Sequence, residues 1–138
     1  MGKRVFVILV ADRNPHVRDF LKREMVAAGY RVHLAENGKE VIKRVYHSKP
    51  LDLLILDPDL PDLEESAVLK KLKNRIPNLP VVLHSYCADF EDCKKLLEKI
   101  TFVEKGGNSV EHLKQVISDI LDQQSRPYEK NTRLKLTN

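Results

Sequence analysis

Cysteine is scarce in this chain. Cys87 and Cys93 are its two thiols, too few for a disulfide framework, so a reducing cytoplasm is the expected compartment. Their spacing is wider than the usual zinc pair and no second pair follows, so both read as free thiols. Long apolar runs are missing too: none approaches the roughly 18–20 residues that a membrane helix needs. The start, MGKRVFVILVADR, stops its apolar run at Asp12 with no small-residue cleavage site, and reads as a first strand rather than a signal peptide. No glycine-rich loop is present to cradle a nucleotide's phosphates. The histidines (His16, His33, His47, His84 and His112) lie in different elements and make no metal-ligand spacing. His84-Ser85 is a poor hydrolase dyad, because neighbours on a strand point to opposite faces. Neither an internal repeat nor a domain linker is visible.

What remains is a globular balance. The 138 residues are 42% hydrophobic and 32% charged, enough for one domain with a real core. The net charge of +4 is unevenly placed. Residues 123–138 hold Arg126, Lys130, Arg133 and Lys135 against Glu129 alone, whereas residues 1–122 are nearly balanced. The excess therefore belongs to a basic tail, expected to be a solvated, flexible terminus, and nucleic acid is not the expected partner of the body.

Apolar runs alternate with helical patterns. Val5–Ala11 is a buried-type strand. Asn14-Pro15 reads as a helix cap and first residue, with Val17, Phe20, Leu21, Met25 and Ala28 on one face and Gly29 as the stop. Tyr30–Ala35 is a strand, Asn37-Gly38 a turn, and Lys39–His47 a helix. Leu51–Leu56 is a second buried run, closed by Asp57; Pro58 and Pro61 keep the following stretch a loop. Ser66–Arg75 is helical, Val81–His84 a strand, Glu91–Lys99 a helix, Phe102–Glu104 a strand. Ser109 caps a last helix that dissolves after Gln123. Lys70-Lys71-Leu72-Lys73 reads as a solvated helix face.

Strict alternation of five strands and five helices implies an α/β fold with a parallel sheet covered by helices on both faces. Ligands in such open sheets bind beyond the carboxyl ends of the strands. Asp12, Asp57, Ser85 and Lys105 stand at or just past four of those ends. A carboxylate can attack phosphorus to form an acyl phosphate, provided the phosphoryl charge is neutralised. A hard cation such as Mg²⁺ held by carboxylates, together with a lysine and a hydroxyl, could do so.

Four segments then become specific. ILVADRNP (8–15), LLILDPDLPDLEE (53–65), PVVLHS (80–85) and FVEKG (102–106) resemble, in order, the landmarks of the receiver domains of two-component response regulators, the CheY-like family. The resemblance spans residues 4 to 122. It implies a flavodoxin-like, doubly wound sheet of order 2-1-3-4-5 over residues 1–122. It implies that Asp57 accepts a phosphoryl group from a histidine kinase or phosphotransfer protein. Asp12, Asp57 and the backbone carbonyl of Asp59 would hold Mg²⁺. Ser85 would bond the phosphoryl group, Phe102 would be the aromatic switch, and Lys105 would pair with a phosphoryl oxygen. The output would be altered protein binding at the face of the fourth helix, fifth strand and fifth helix, in a bacterial cytoplasm. The domain would not be an enzyme beyond promoting its own phosphorylation and dephosphorylation.

The chain departs from that pattern at the charged edge. Arg13 stands where the family usually has a second, metal-binding acid. A guanidinium has donors and no acceptor, so it would either repel Mg²⁺ and pair with Asp57, or swing to solvent. Magnesium binding is accordingly expected to be weak or lost. Glu65 replaces a usual glycine, Gly106 a usual proline, and Pro58 removes an N–H donor. These leave a second reading open: a pseudo-receiver that binds partners without phosphorylation. A small phosphatase is disfavoured, because no second general acid lies near Asp57.

No effector-like segment follows, so a stand-alone regulator or a fragment is expected, with self-association left open. The tail's TRLKLT (132–137) alternates like a strand that could add to a sheet edge, against disorder.

Overall fold

The computed structural model describes residues 4–47, 50–86, 99–107 and 109–125. Its elements run β1 (Val7–Ala11), α1 (Pro15–Ala27), β2 (Arg31–Ala35), α2 (Gly38–His47), β3 (Leu53–Leu56), α3 (Val68–Lys73), β4 (Val81–Ser85), β5 (Ile100–Glu104) and α4 (Ser109–Ser125). Of the expected helix Glu91–Lys99 all but Lys99, which is not helical, lies outside the described residues, as do both cysteines and residues 126–138 of the tail. The strands form one sheet in the order β2-β1-β3-β4-β5, and all four pairings are parallel. The expected flavodoxin-like, doubly wound topology is therefore present.

Alternation along each strand divides the core in two. Leu54, Leu56, Val81 and Leu83 face a layer that holds Val41, Val45, Val68 and Leu72 of α2 and α3. Leu53, Ile55, Val82 and Val103 face Leu21 and Met25 of α1 and Leu113, Ile117 and Leu121 of α4. The central strands β1 and β3 are apolar on both sides because helices cover both faces.

Helix α1 starts as its sequence demands. The Asn14 side chain accepts from the N–H groups of His16 (2.9 Å) and Val17 (3.4 Å), and Pro15 follows as the first helical residue. Gly29 ends it at φ +100, where a side chain would be strained.

Several local expectations change. Phe20 is 40% exposed and packs under the guanidinium of Arg23 instead of joining the core. Strand β1 begins two residues later than Val5, which is half exposed, and β3 begins at Leu53 because Asp52 turns its carboxylate onto the Val7 N–H (2.8 Å) and Arg4. Helix α3 is shorter than Ser66–Arg75, since Ala67 adopts a left-handed conformation at φ 52 just before it. That positive φ falls on Ala67 and not on Glu65. Ser109 is the first residue of α4 rather than its cap, and α4 continues through Ser125. Lys70, Lys71 and Lys73 are exposed, as a solvated face requires.

Candidate functional site

The sheet's ladder carries the site residues one step past the strand ends. The Asp57 N–H donates to the Ala11 carbonyl (2.8 Å), the Asp12 N–H to Ala35 (3.2 Å), and the Lys105 N–H to Ser85 (2.8 Å). Period-two alternation does the rest. Asp12 follows Ile8 and Val10, Asp57 follows Leu53 and Ile55, and Lys105 follows Val103, all on the α1–α4 face. The two acids and the lysine therefore leave the sheet on one side.

Their side chains meet. Lys105 Nζ lies 2.9 Å from Asp12 Oδ2 and 4.0 Å from Asp57 Oδ2. Asp12 is 2% exposed and Asp57 1%, so each buried carboxylate needs compensation. Asp12 Oδ1 accepts from the Asn14 N–H (2.9 Å), and the Asp12 carbonyl from Arg18 (2.7 Å). Asp57 Oδ1 accepts from the Asp59 N–H (2.9 Å) and Oδ2 from the Arg13 N–H (3.3 Å). Tyr86 stands at the rim, its ring 5.5 Å from Lys105 Nζ.

Arg13 stands between the two alternatives the sequence leaves open. Its Nε lies 3.7 Å from Asp57 Oδ2 and a terminal nitrogen 3.7 Å from Asp59 Oδ2. The side chain stays 58% exposed. It leans over Asp57 at the mouth of the site and bridges two acids while keeping much of its surface in water.

Ser85 is buried at the end of β4, on the opposite pleat from Asp57, and its carbonyl anchors Lys105. Phe102 is paired in register with Leu83 and is half-buried against the α2–α3 layer. It lies below the charged cluster, not in it.

The donor set does not fit the magnesium ion that the resemblance implies. Mg²⁺ needs free oxygen lone pairs in near-octahedral array. Here each oxygen of Asp12 and Asp57 already gives one of its two lone pairs to an N–H donor, and position 13 contributes a cation where an acidic ligand would stand. Among the described residues no three His, Cys, Asp or Glu side chains are grouped to hold a metal.

One residue escapes sequence reasoning. Ala11 pairs with Leu56 and Leu56 with Leu83, so Asp12, Asp57 and His84 fall in the next cross-strand row. His84 is 4% exposed and neither ring nitrogen has a hydrogen-bond partner. Burial pushes its pKa down to about 4; the Lys105 charge adds to this and Asp57 opposes it. It is a neutral imidazole beside the acidic row. Counting back from the ends of β3 and β4 would have exposed the alignment.

A parallel five-stranded sheet with an acidic carboxyl edge and a bridging lysine defines a receiver-type domain, and comparison agrees. The family described as response regulator receiver domain matches residues 8–117, and the chain belongs to it. The DNA-binding transcriptional regulator NtrC of Escherichia coli (strain K12) is 32% identical over 85 residues, covering 62% of this chain and 18% of that protein. The probable transcriptional regulator ycf27 of Cyanidium caldarium is 27% identical over 107 residues, covering 78% and 40%. The chain thus spans less than half the length of these relatives. Among solved structures, a CheY-like receiver domain from Methanospirillum hungatei JF-1 superposes with a TM-score of 0.73 at 20% identity, covering 89% of this chain and 99% of that one. The signal receiver domain of an HD domain-containing protein from Pseudomonas fluorescens Pf-5 gives 0.76 at 19% identity, covering 88% and 98%.

Proposed function

We propose that this receiver domain is a phosphoryl-accepting switch built on Asp57. One observation carries the reading: a carboxylate that is 1% exposed stands at the end of β3 with Lys105 and Arg13 on either side of the same oxygen. A carboxylate oxygen would bond to phosphorus as the P–N bond of a kinase or phosphotransfer phosphohistidine breaks, the electron pair leaving with the imidazole nitrogen. Lys105 would turn toward the new phosphoryl oxygens, and Ser85 would bond another after the end of β4 shifts to bring it round from the opposite pleat. Phe102, half-buried against the α2–α3 layer, would change rotamer with Ser85. The readout would be protein binding at the face that β5 and α4 present, in the bacterial cytoplasm. The domain would not be an enzyme in its own right beyond this self-modification.

Intact-mass measurement after incubation with acetyl phosphate tests this. The parent protein should gain one phosphoryl group and Asp57→Asn none. Equal masses before and after, under every ionic condition, would sink it.

A second reading has its own support. The Arg13 guanidinium already lies against Asp57, which is the contact a phosphate-independent interaction module would keep. In that case a partner binds the parent and Asp57→Asn equally well.

A further inference from the structure

The misfit between this charged edge and a magnesium ion has a positive counterpart. Arg13 occupies the mouth of the site, and two of its nitrogens lie 3.7 Å from Asp57 Oδ2 and Asp59 Oδ2. Those separations exceed hydrogen-bond length, so the guanidinium is attracted to the acids without being locked to them. The side chain is 58% exposed, on the side from which a phosphodonor must arrive. Across the same oxygen stands Lys105, 10% exposed and fixed by Asp12 at 2.9 Å. Any phosphoryl group attached to Asp57 would sit between one buried ammonium and one guanidinium at the rim.

The chemistry of the two cations suits that position. A guanidinium presents five donors in a planar fork, binds phosphoryl oxygens in pairs, and stays charged at any physiological pH. The phosphorylated carboxyl carries close to two negative charges. Asp12, Asp57 and Asp59 together supply three negative charges and Arg13 with Lys105 two positive ones, so the site lacks about one cationic charge before the reaction and more after it. A fork that shifts from Asp59 onto the phosphoryl oxygens leaves that tally unchanged, but it places a charge already in the site on the group that gains negative charge.

We propose that Arg13 takes the place of a divalent cation here, so that Asp57 accepts a phosphoryl group without metal. This deepens the phosphoacceptor reading above and rests on it. With acetyl phosphate, one Asp57 oxygen forms a bond to phosphorus while the P–O bond to acetate breaks, and acetate leaves with the electron pair. Arg13 and Lys105 hold the phosphoryl oxygens as the charge moves. The reaction needs no further reactant.

The test is the phosphorylated fraction by intact mass, with acetyl phosphate in excess EDTA and in Mg²⁺ after EDTA removal. The parent should be labelled at rates within about twofold in the two conditions. Arg13→Gln, checked for folding by circular dichroism, should lose at least about tenfold in EDTA, the scale of one charge-assisted contact. Labelling of the parent only in Mg²⁺ would overturn the metal-free inference and leave the phosphoacceptor reading standing. Labelling in neither condition would overturn both. Unchanged EDTA labelling of a folded Arg13→Gln would remove Arg13 from the role.

Discussion

Lys105 Nζ reaches Asp12 Oδ2 at 2.9 Å, a bond that joins the ends of β5 and β1 over the two strands between them. One side chain thus ties the edge strand β5 to the interior strand β1 and neutralises a buried carboxylate.

Removing that ammonium should therefore be costly. Lys105→Met leaves Asp12 without its ion pair and Asp57 with Arg13 alone. A loss of about 3–5 kcal/mol is expected, the scale for stripping one partner from a buried pair. Urea unfolding measures it. Adding Asp12→Asn should recover at least about 1 kcal/mol of the loss, because the stranded charge is gone.

His84 sets a pH dependence. Its folded pKa, about 4, lies below the ordinary 6.5, so the unfolded chain binds a proton that the native state refuses. The stability contribution is whole above about pH 6.5 and falls progressively as pH drops toward 4. The full difference is on the order of 3 kcal/mol. His84→Leu should flatten this part of the stability curve between pH 6.5 and 4, and should be at least as stable as the parent at neutral pH, since two orphaned nitrogens leave the core. A parallel pair of curves would contradict the assignment.

Gly38 marks a close approach. A Cβ there would stand 2.7 Å from Val68 Cγ2 and 3.1 Å from the Asp62 carbonyl, and the Gly38 N–H donates to the Asp62 carboxylate. Gly38→Ala should cost about 1–3 kcal/mol through overpacking between α2 and α3. Thermal unfolding would register it, with acetyl phosphate labelling of the folded protein little changed.

Exchanging the charge at the mouth should restore a metal site. Arg13→Asp replaces a cation with hard oxygen ligands beside Asp12 and Asp57. Titration with Mg²⁺ should show at least about tenfold tighter binding than the parent. A parent that already binds as tightly as Arg13→Asp would mean that the guanidinium is no obstacle.

The acidic edge could be read in the letters because each acid or base ends a strand. Asp12 closes VFVILVA and Asp57 closes LDLLIL, and in a parallel sheet such ends collect at one side. The order of strands followed from the family resemblance. Other features were hidden for definite reasons. Phe20 sits at a helical spacing that suits either the core or its margin, and packing against Arg23 decides it. Glu65 stands where the family usually has glycine, yet the left-handed conformation ahead of α3 falls on Ala67, at φ 52. His84 appeared as an isolated imidazole, because its row is shared with residues far away along the chain.

Pattern and chain order alone settle how strands and helices alternate, and which side chains stand where the strands stop. Those depend on periods of two and 3.6 and on local breakers. The partnership of Arg13 with Asp57 and Asp59, the Lys105–Asp12 bond and the orphaned His84 come from register between distant strands and from the rotamers that packing permits. Only the folded chain brings those groups within a few ångströms, where charge and burial can act.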